Sequence, residues 1–432
     1  MFQWLFGKEG NTKTIAILDV GSGSVGAALA TLNRTGQPEL LYTTREELPL
    51  RMTRKGSELA KDVVGASGRV LALVRKEAAL FNEGNRIVPK RIEHLAVFLA
   101  APWSTTHIRT LRFSRTKPFP MSADVLRRML DDEARSAGRE REKDLEMIER
   151  TATGLRLNGY PVDALSNAPV LEAEVTLATS FAPRAFLEML DDSLGGMPHG
   201  THRTFHSFAL PASNALPRVI PALLDTLIID AGAEVTELIR LKDKTPTARA
   251  TAPVGTHMLL RTLFAHGRMH RKEAETALKL ANLDGTRLSE THKGAIAGAA
   301  REWSRGVSLA LQSLTVGESM PQSVHLFANQ PAEHWLKEAL GREPYPNQST
   351  TFGDIHIVTH KDFAGAVTLR GATPDPFLCA ELLYADTRFD EKSSLELLST
   401  RDPLLMRPKS VTIPSSVENT VGEPEVSLSS KT

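Results

Sequence analysis

In the first part of the chain, the pattern of apolar and polar positions predicts short strands separated by a turn of very small residues. Residues 14–20 are apolar and β-branched, the turn Gly21–Ser24 follows, and residues 25–31 continue with small and β-branched side chains. A third strand-like run, Glu39–Thr43, comes after a second turn. The order strand, glycine turn and strand predicts a β-hairpin.

Further along the chain, the same patterns predict one long helix and several strands. Apolar residues recur at helical spacing through Ser57–Phe81, which predicts an amphipathic helix packed across the hairpin. Strands are predicted at Arg91–Ala100 and Thr106–Phe113, which look like a separate small sheet, and a helix is predicted from about 123 to 137. An alternating strand, Leu171–Thr179, follows a polar loop.

The hairpin pattern occurs a second time in the chain. Leu227–Leu241 again reads as a strand ending in an aspartate, Asp230, then a turn of small residues, then a strand. The first hairpin has its aspartate, Asp19, at the corresponding place. An internal repeat of this kind predicts two similar lobes that face each other.

The first turn has the composition of an anion-binding loop. Glycine and serine let backbone N–H groups approach a phosphate. Gly21, Gly23 and Gly26 also satisfy the spacing G-x-G-x-x-G, but a dinucleotide-binding fold needs a helix after that turn, and the sequence continues as a strand. The Rossmann interpretation is therefore disfavoured.

Composition limits the class of protein. A chain of 432 residues exceeds one hydrophobic core, so two or more domains are expected. The net charge of +1 argues against nucleic acid as a main partner. Cys379 is the single cysteine, and the absence of a signal peptide and of a long apolar run predicts a cytoplasmic protein. An apolar segment at the N-terminus predicts peripheral membrane contact through Phe2, Trp4, Leu5 and Phe6.

Two features together resemble a known group of proteins. A hairpin opened by an aspartate and a Gly/Ser turn resembles the actin-like ATPases, and an inserted segment ending in VLEAEVTLATS, residues 170–180, is similar to FtsA of bacterial cell division and PilM of type IV pilus assembly. The resemblance implies an α/β, actin-like ATPase (ribonuclease H-like) fold with two lobes and an inserted small α+β subdomain of the SHS2 type. The implied domains are 1–82 with about 177–215 as the first lobe, 83–176 as the insertion, 216–375 as the second lobe, 376–400 as a helical segment returning to the first lobe, and 401–432 as a disordered tail.

The resemblance also implies a nucleotide site, with ATP and Mg²⁺ as cofactors. In such proteins the two turns grip the phosphates from opposite sides, and the two aspartates, here Asp19 and Asp230, hold Mg²⁺ largely through water. No catalytic residue is assigned. The implied cofactor-binding residues are Asp19, Gly21, Ser22, Gly23, Ser24, Asp230, Gly232, Ala233, Thr236, Gly255, Glu275 and Lys279.

Several residues depart from the family pattern and put nucleotide binding in doubt. Glu234, in the second turn, would repel a phosphate. Ala328, Asn329 and Gln330 stand where the family places glycines against the adenine. Glu275 and Lys279 are four positions apart instead of three. The sequence therefore leaves open whether the protein is a weak ATPase or a pseudo-ATPase that binds no nucleotide.

The function implied by the resemblance is that of a nucleotide-gated scaffold. The first expectation is an FtsA-type adaptor in cell division, which self-associates and recruits membrane partners at the inner face of the membrane. The alternative is a PilM-type scaffold that binds the cytoplasmic tail of a membrane pilus protein beside the inserted subdomain, and Gly232, Ala233 and Thr236 favour it. A small-molecule kinase of the same superfamily is the enzymatic alternative.

Overall fold

The computed structural model places most of the chain. It describes residues 12–33, 36–51, 55–84, 91–122, 124–128, 144–162, 169–198, 200–220, 223–267, 270–283, 289–315, 319, 321, 323–329, 332–342 and 352–389. The apolar N-terminal segment, Gln330 and the tail 401–432 lie outside the described residues. Of the helix predicted near 123–137, residues 124–128 are helical and 129–137 lie outside.

Strands and helices alternate in the order of an α/β protein. The helices are α1 (Gly56–Gly84), α2 (Arg184–Ser193), α3 (Ala209–Val219), α4 (Thr256–Gly267), α5 (Arg271–Leu283), α6 (Glu290–Leu314), α7 (Glu333–Arg342) and α8 (Pro376–Phe389). The strands are β1 (Thr12–Val20), β2 (Ser24–Asn33), β3 (Glu39–Glu47), β4 (His94–Leu99), β5 (Thr105–Pro120), β6 (Leu145–Leu157), β7 (Tyr160–Pro161), β8 (Pro169–Pro183), β9 (His202–Ser207), β10 (Asp225–Ala231), β11 (Thr236–Lys242), β12 (Thr245–Ala252), β13 (Ser323–Ala328), β14 (Asp354–Ile357) and β15 (Thr368–Leu369).

The first lobe is built on a sheet of six strands in the order β15-β3-β2-β1-β4-β9. β1 pairs antiparallel with β2 and parallel with β4, which confirms the predicted hairpin. Alternate residues of β1 point to opposite faces. Ala16 and Leu18 pack in the cluster that contains α1, whereas Ile15 and Ile17 pack in the cluster that contains α8. The sheet is therefore covered by helices on both faces.

The second lobe repeats this arrangement. Its five strands have the order β12-β11-β10-β13-β14, and β10 pairs antiparallel with β11 and parallel with β13, as β1 does with β2 and β4. Leu227 and Ile229 pack with α4, α5 and α6, whereas Ile228 faces the cluster shared with the first lobe. The pseudo-repeat predicted from the sequence is therefore present in the pairing of the strands.

One apolar core joins the two lobes. It contains residues of β1, β2, β10, β11 and β13 together with α3 and α8, and those two helices pack against each other. Phe208 and Phe327 meet edge to face at 5.4 Å between ring centroids, and Phe377 of α8 contacts both rings. The central strands of the two lobes, β1 and β10, therefore share one apolar core.

The inserted sheet has four strands in the order β5-β8-β6-β7, and β8 pairs antiparallel with both β5 and β6. Its own small core includes Met121, Leu126 and Val175. The strand predicted at Arg91–Ala100 was assigned to this insertion, and that assignment is wrong. β4 pairs parallel with β1 inside the first lobe, because its residues are apolar on both sides and suit a strand covered by helices on both faces.

Candidate functional site

The two glycine turns that the sequence singles out lie in direct contact. The backbone N–H of Glu234 in the second turn donates a hydrogen bond to Ser22 Oγ in the first turn, at 3.1 Å. A Cβ atom added to Gly23 would lie 2.4 Å from the Cβ of Ala233. Glycine at position 23 is therefore what lets the second turn approach so closely.

Asp19 ends β1 and is paired with an arginine that sequence reasoning missed. Arg45 Nη2 lies 2.7 Å from Asp19 Oδ2, and Arg45 Nη1 donates to Ser24 Oγ at 2.9 Å. Arg45 sits on β3 opposite Gly26 of β2, and a Cβ on Gly26 would lie 2.7 Å from Arg45 Nη2. The glycine thus leaves room for the guanidinium to cross β2 and reach β1.

Two further carboxyl groups from the end of the chain complete this cluster. Arg45 Nε lies 2.8 Å from Asp375 Oδ2, just before α8, and Glu381 of α8 is fully buried beside Asp19. Burial raises the pKa of Asp19, although the Arg45 charge opposes it. Burial, and then the Asp19 charge, raise the pKa of Glu381 well above its ordinary value, which favours its neutral carboxyl form.

Asp230 faces this cluster from the second lobe. It is 4% exposed, and its pKa is raised well above the ordinary value by burial, then by the nearby Glu237 and Asp19 carboxylates. Glu237 itself forms an ion pair with Arg249 of β12. The structure therefore brings the two predicted magnesium aspartates near each other, with a guanidinium already beside one of them.

Glu234 is held by two basic side chains of the same lobe. His257 Nδ1 lies 3.2 Å from Glu234 Oε1, and Arg261 Nη2 pairs with the same oxygen. Burial alone would raise the pKa of Glu234, but hydrogen bonds from His257 and Arg261 and the Arg261 charge more than offset it, so the pKa is lowered. Arg261 Nε also donates to the Arg51 carbonyl of the first lobe at 2.7 Å.

The N-terminus of α4 points at the second turn. The N–H groups of Thr256 and His257 donate to the carbonyl oxygens of Gly232 and Ala233 at 3.0 and 2.9 Å. A Cβ on Gly255 would lie 2.3 Å from the Ala233 oxygen. Gly255 therefore permits the close approach of α4 to the turn, and the first amides of the helix are used by that turn.

The other predicted residues have different surroundings. Thr236 Oγ1 donates to the Val254 carbonyl at 2.7 Å and accepts from Trp303 Nε1 at 3.0 Å, inside the second lobe. Asn329 Nδ2 donates to Ser24 Oγ at 3.3 Å across the lobes. Glu275 is half-buried and Lys279 exposed on α5, which packs against α4. Their predicted part in binding stays a prediction.

These contacts do not fit a magnesium nucleotide. Within the described ranges, no group of three or more His, Cys, Asp or Glu side chains is arranged to hold a metal ion. The cation beside Asp19 is Arg45, a carboxylate stands at the second turn, and the N–H of Glu234 already donates to Ser22. A phosphate would need these donors and would meet the Glu234 charge. Binding of Mg-ATP stays a prediction against which these contacts argue.

Comparison with known proteins identifies the fold. No family model and no curated protein matches the chain. A chain of the "PilM-PilN type IV pilus biogenesis complex" matches with a TM-score of 0.50 and 15% identity, over 89% of this chain and 97% of that one.

Two further solved structures match with lower TM-scores. A Bacteroides thetaiotaomicron protein described as having an actin-like ATPase fold and unknown function matches at a TM-score of 0.38 and 7% identity, over 86% of this chain and 95% of that one. The activator of 2-hydroxyisocaproyl-CoA dehydratase from Clostridium difficile, with bound ADPNP, matches at 0.38 and 9%, over 87% and 94%.

The chain therefore has the actin-like fold with two lobes, as the sequence predicted. Its resemblance to the FtsA and PilM group is confirmed at the level of the fold. In the part of the chain that the structure describes, no helix is both long and apolar enough to cross a membrane.

Proposed function

We propose that this chain is a scaffold of the PilM type that binds a short cytoplasmic segment of a membrane pilus protein. The observation that carries the proposal is the match to a chain of the PilM–PilN complex, which extends over 97% of that chain and 89% of this one. A match of that extent takes in both lobes and leaves little of the PilM–PilN chain without a counterpart.

The inserted sheet offers a surface for such a partner. Tyr160 of β7 is 75% exposed and Leu171 of β8 is 46% exposed. Both lie at the same end of the sheet, because the Leu171 N–H donates to Asn158 Oδ1 at 2.9 Å and Asn158 is two positions before Tyr160. Exposed apolar side chains at one end of a sheet favour contact with another chain.

In this proposal the protein works at the inner face of the membrane. The partner brings it there, and the apolar segment Phe2, Trp4, Leu5 and Phe6 adds a second, peripheral contact. A partner segment that becomes ordered on binding gives a specific but reversible complex. This arrangement suits an adaptor that joins a membrane protein to other components.

The test is direct binding of synthetic peptides. Fluorescently labelled cytoplasmic tails of membrane proteins encoded beside this gene would be titrated with the protein and followed by anisotropy. We expect a pilus-protein tail to bind, and Tyr160→Asp with Leu171→Asp to weaken it by about tenfold or more. Leu309→Asp is the matched control, because Leu309 is 62% exposed on α6 of the second lobe.

Other outcomes would contradict the PilM proposal in defined ways. Binding of a cell-division tail, together with filaments seen by sedimentation and electron microscopy, would point to the FtsA-type role. Rapid phosphate release from ATP in the presence of a small-molecule substrate would point to the kinase alternative. An unaltered affinity in the Tyr160 and Leu171 variant would remove the inserted sheet as the binding surface.

A further inference from the structure

We propose that this chain holds its two lobes together with its own charged side chains, in place of a magnesium nucleotide. The Arg45 guanidinium is the cation at Asp19, and the Glu234 carboxylate is the anion at the second turn. Closure of the lobes then needs no ligand. Closure of the cleft by these side chains does not depend on which partner the inserted sheet binds.

The cation beside Asp19 is the Arg45 guanidinium. The Arg45 guanidinium donates hydrogen bonds to Asp19, Ser24 and Asp375 at 2.7, 2.9 and 2.8 Å. It also lies 5.4 Å from the ring centroid of Phe377. A magnesium ion at Asp19 would have to displace a permanent positive charge that is held by hydrogen bonds to three side chains. The site therefore already contains the charge that a metal would bring.

The anion at the second turn is the Glu234 carboxylate. Glu234 is 8% exposed, and its carboxylate accepts hydrogen bonds from His257 and Arg261. These are the basic groups that a phosphate at this turn would use, and a second anion would compete with Glu234 for them. The Glu234 N–H and the first two N–H groups of α4 already have acceptors within the protein. The donors that a phosphate would need at this turn are thus already bonded to groups of the chain itself.

The same residues connect the lobes. Arg261 is oriented by Glu234 and donates through Nε to the Arg51 carbonyl of the first lobe. The Glu234 N–H reaches Ser22 Oγ, and Asn329 reaches Ser24 Oγ, at 3.1 and 3.3 Å. A nucleotide shifts a lobe equilibrium only by its differential affinity for the closed state. Here the chain's own contacts favour the closed state without one.

The first test uses the wild-type protein, so it does not depend on any variant folding. Thermal unfolding would be followed with and without about 5 mM Mg-ATP, a concentration at which even a weak specific ligand raises the melting temperature. We expect a shift below about 1 °C. A rise of about 2 °C or more would overturn the proposal, because it would show that the cleft accepts the nucleotide.

The second test measures opening of the cleft by hydrogen exchange of peptides that contain residues 21–25 and 232–236. We expect Glu234→Ala to raise exchange in both by about tenfold or more. The matched control is Glu290→Ala, which removes an exposed ion pair to Lys293 on α6 and should leave both peptides unchanged. Unchanged exchange in Glu234→Ala would contradict the proposal.

A rescue experiment separates an internal anion from an ordinary packing contact. In Glu234→Ala, His257 and Arg261 lose their carboxylate, so about 10 mM inorganic phosphate should restore protection at both turns. Phosphate should have no effect on wild type. Failure of rescue would overturn the role of Glu234 as an anion. If the alanine variant does not fold, Glu234→Gln, which keeps the shape and removes the charge, is measured in the same way.

Discussion

The two hairpin turns share a backbone pattern and differ in charge. At the first turn, an arginine is surrounded by carboxyl groups, of which Asp19 and Asp375 contact it directly. At the second turn, a glutamate is surrounded by basic groups, His257 and Arg261. A repeated hairpin can therefore keep its strand pairing while the central charge at its turn, Arg45 in one copy and Glu234 in the other, differs in sign.

The two turns also differ in how they respond to pH. Glu381 and Asp19, beside the first turn, have raised pKa values because they are buried, so their ionisation is unfavourable in the folded protein. Glu234 has a lowered pKa because basic partners more than offset its burial. The first cluster therefore loses stability as pH rises, and the second turn loses stability as pH falls.

The largest expected effect is that of Arg45→Ala, which removes the cation of the first cluster. Asp19 and Asp375 would lose their ion-pair partner beside the buried Glu381, and we expect a loss of about 3–5 kcal/mol in the free energy of unfolding. Urea denaturation monitored by circular dichroism measures this loss. The control is Arg370→Ala, an exposed arginine 3.6 Å from Glu39, for which about 0–1 kcal/mol is expected.

The next effect tests the contact between the turns. Gly23→Ala places a methyl group 2.4 Å from the Cβ of Ala233, and we expect a loss of about 1–3 kcal/mol in the free energy of unfolding. The double variant Gly23→Ala with Ala233→Gly removes one of the two clashing carbons and should recover most of the loss. Equal stability of the single and double variants would show that the turns do not touch.

A matched glycine variant separates crowding from a general effect of alanine. Gly298 lies in α6, and a Cβ there would meet no other atom within 4 Å. Gly298→Ala should therefore stabilise the protein by about 0.5–1 kcal/mol, the usual gain for glycine replaced in a helix. A loss as large as that of Gly23→Ala would mean that crowding between the turns is not the cause.

Glu381→Gln should stabilise the protein at high pH. The folded-state pKa of Glu381 lies above its unfolded value, so the folded wild-type protein binds an extra proton and becomes less stable as pH rises above about 4.5. Glutamine does not ionise, and it keeps nearly the same shape. We expect a gain of about 1–2 kcal/mol at pH 8 and almost none at pH 4. A pH-independent difference would contradict the raised pKa.

A smaller loss than that of Arg45→Ala or Gly23→Ala is expected from Glu234→Gln, and its pH dependence is opposite to that of Glu381→Gln. The pKa of Glu234 is lowered in the folded protein, so its stabilising charge is present above its unfolded pKa of about 4.5 and is lost as pH falls through the folded value. We expect a loss of about 1 kcal/mol at pH 7 that disappears in acid. Thermal melts of both variants across the same pH series would show two curves that change in opposite directions.

Much of the fold could be predicted from the sequence because it depends on local patterns. Both hairpins, α1 and the alternating strand within β8 occupy the predicted stretches, apart from a few residues at their ends. β4 was placed in the wrong sheet, because a short apolar strand gives no local sign of which neighbour it will pair with. The actin-like fold was implied by the resemblance of the repeated strand, aspartate and small turn to actin-like proteins.

The partners of the candidate site could not be predicted in the same way. Glu234 was noted as unsuitable for a phosphate, but neither His257 nor Arg261 was connected with it. Arg45 was missed because its effect depends on the register that sets it opposite Gly26. Glu381 lies on α8, at the other end of the chain from Asp19, and no pattern in the sequence relates the two.

The sequence by itself determined the two hairpins, the aspartate at the end of each first strand, and the glycines that let the turns approach each other. These depend on side-chain size and alternation, which act between near neighbours. Only the tertiary structure decided which charged side chains meet at the turns. Strand register and the docking of α8 bring Arg45, Asp375 and Glu381 to Asp19, because electrostatic interaction depends on distance in space and not on separation along the chain.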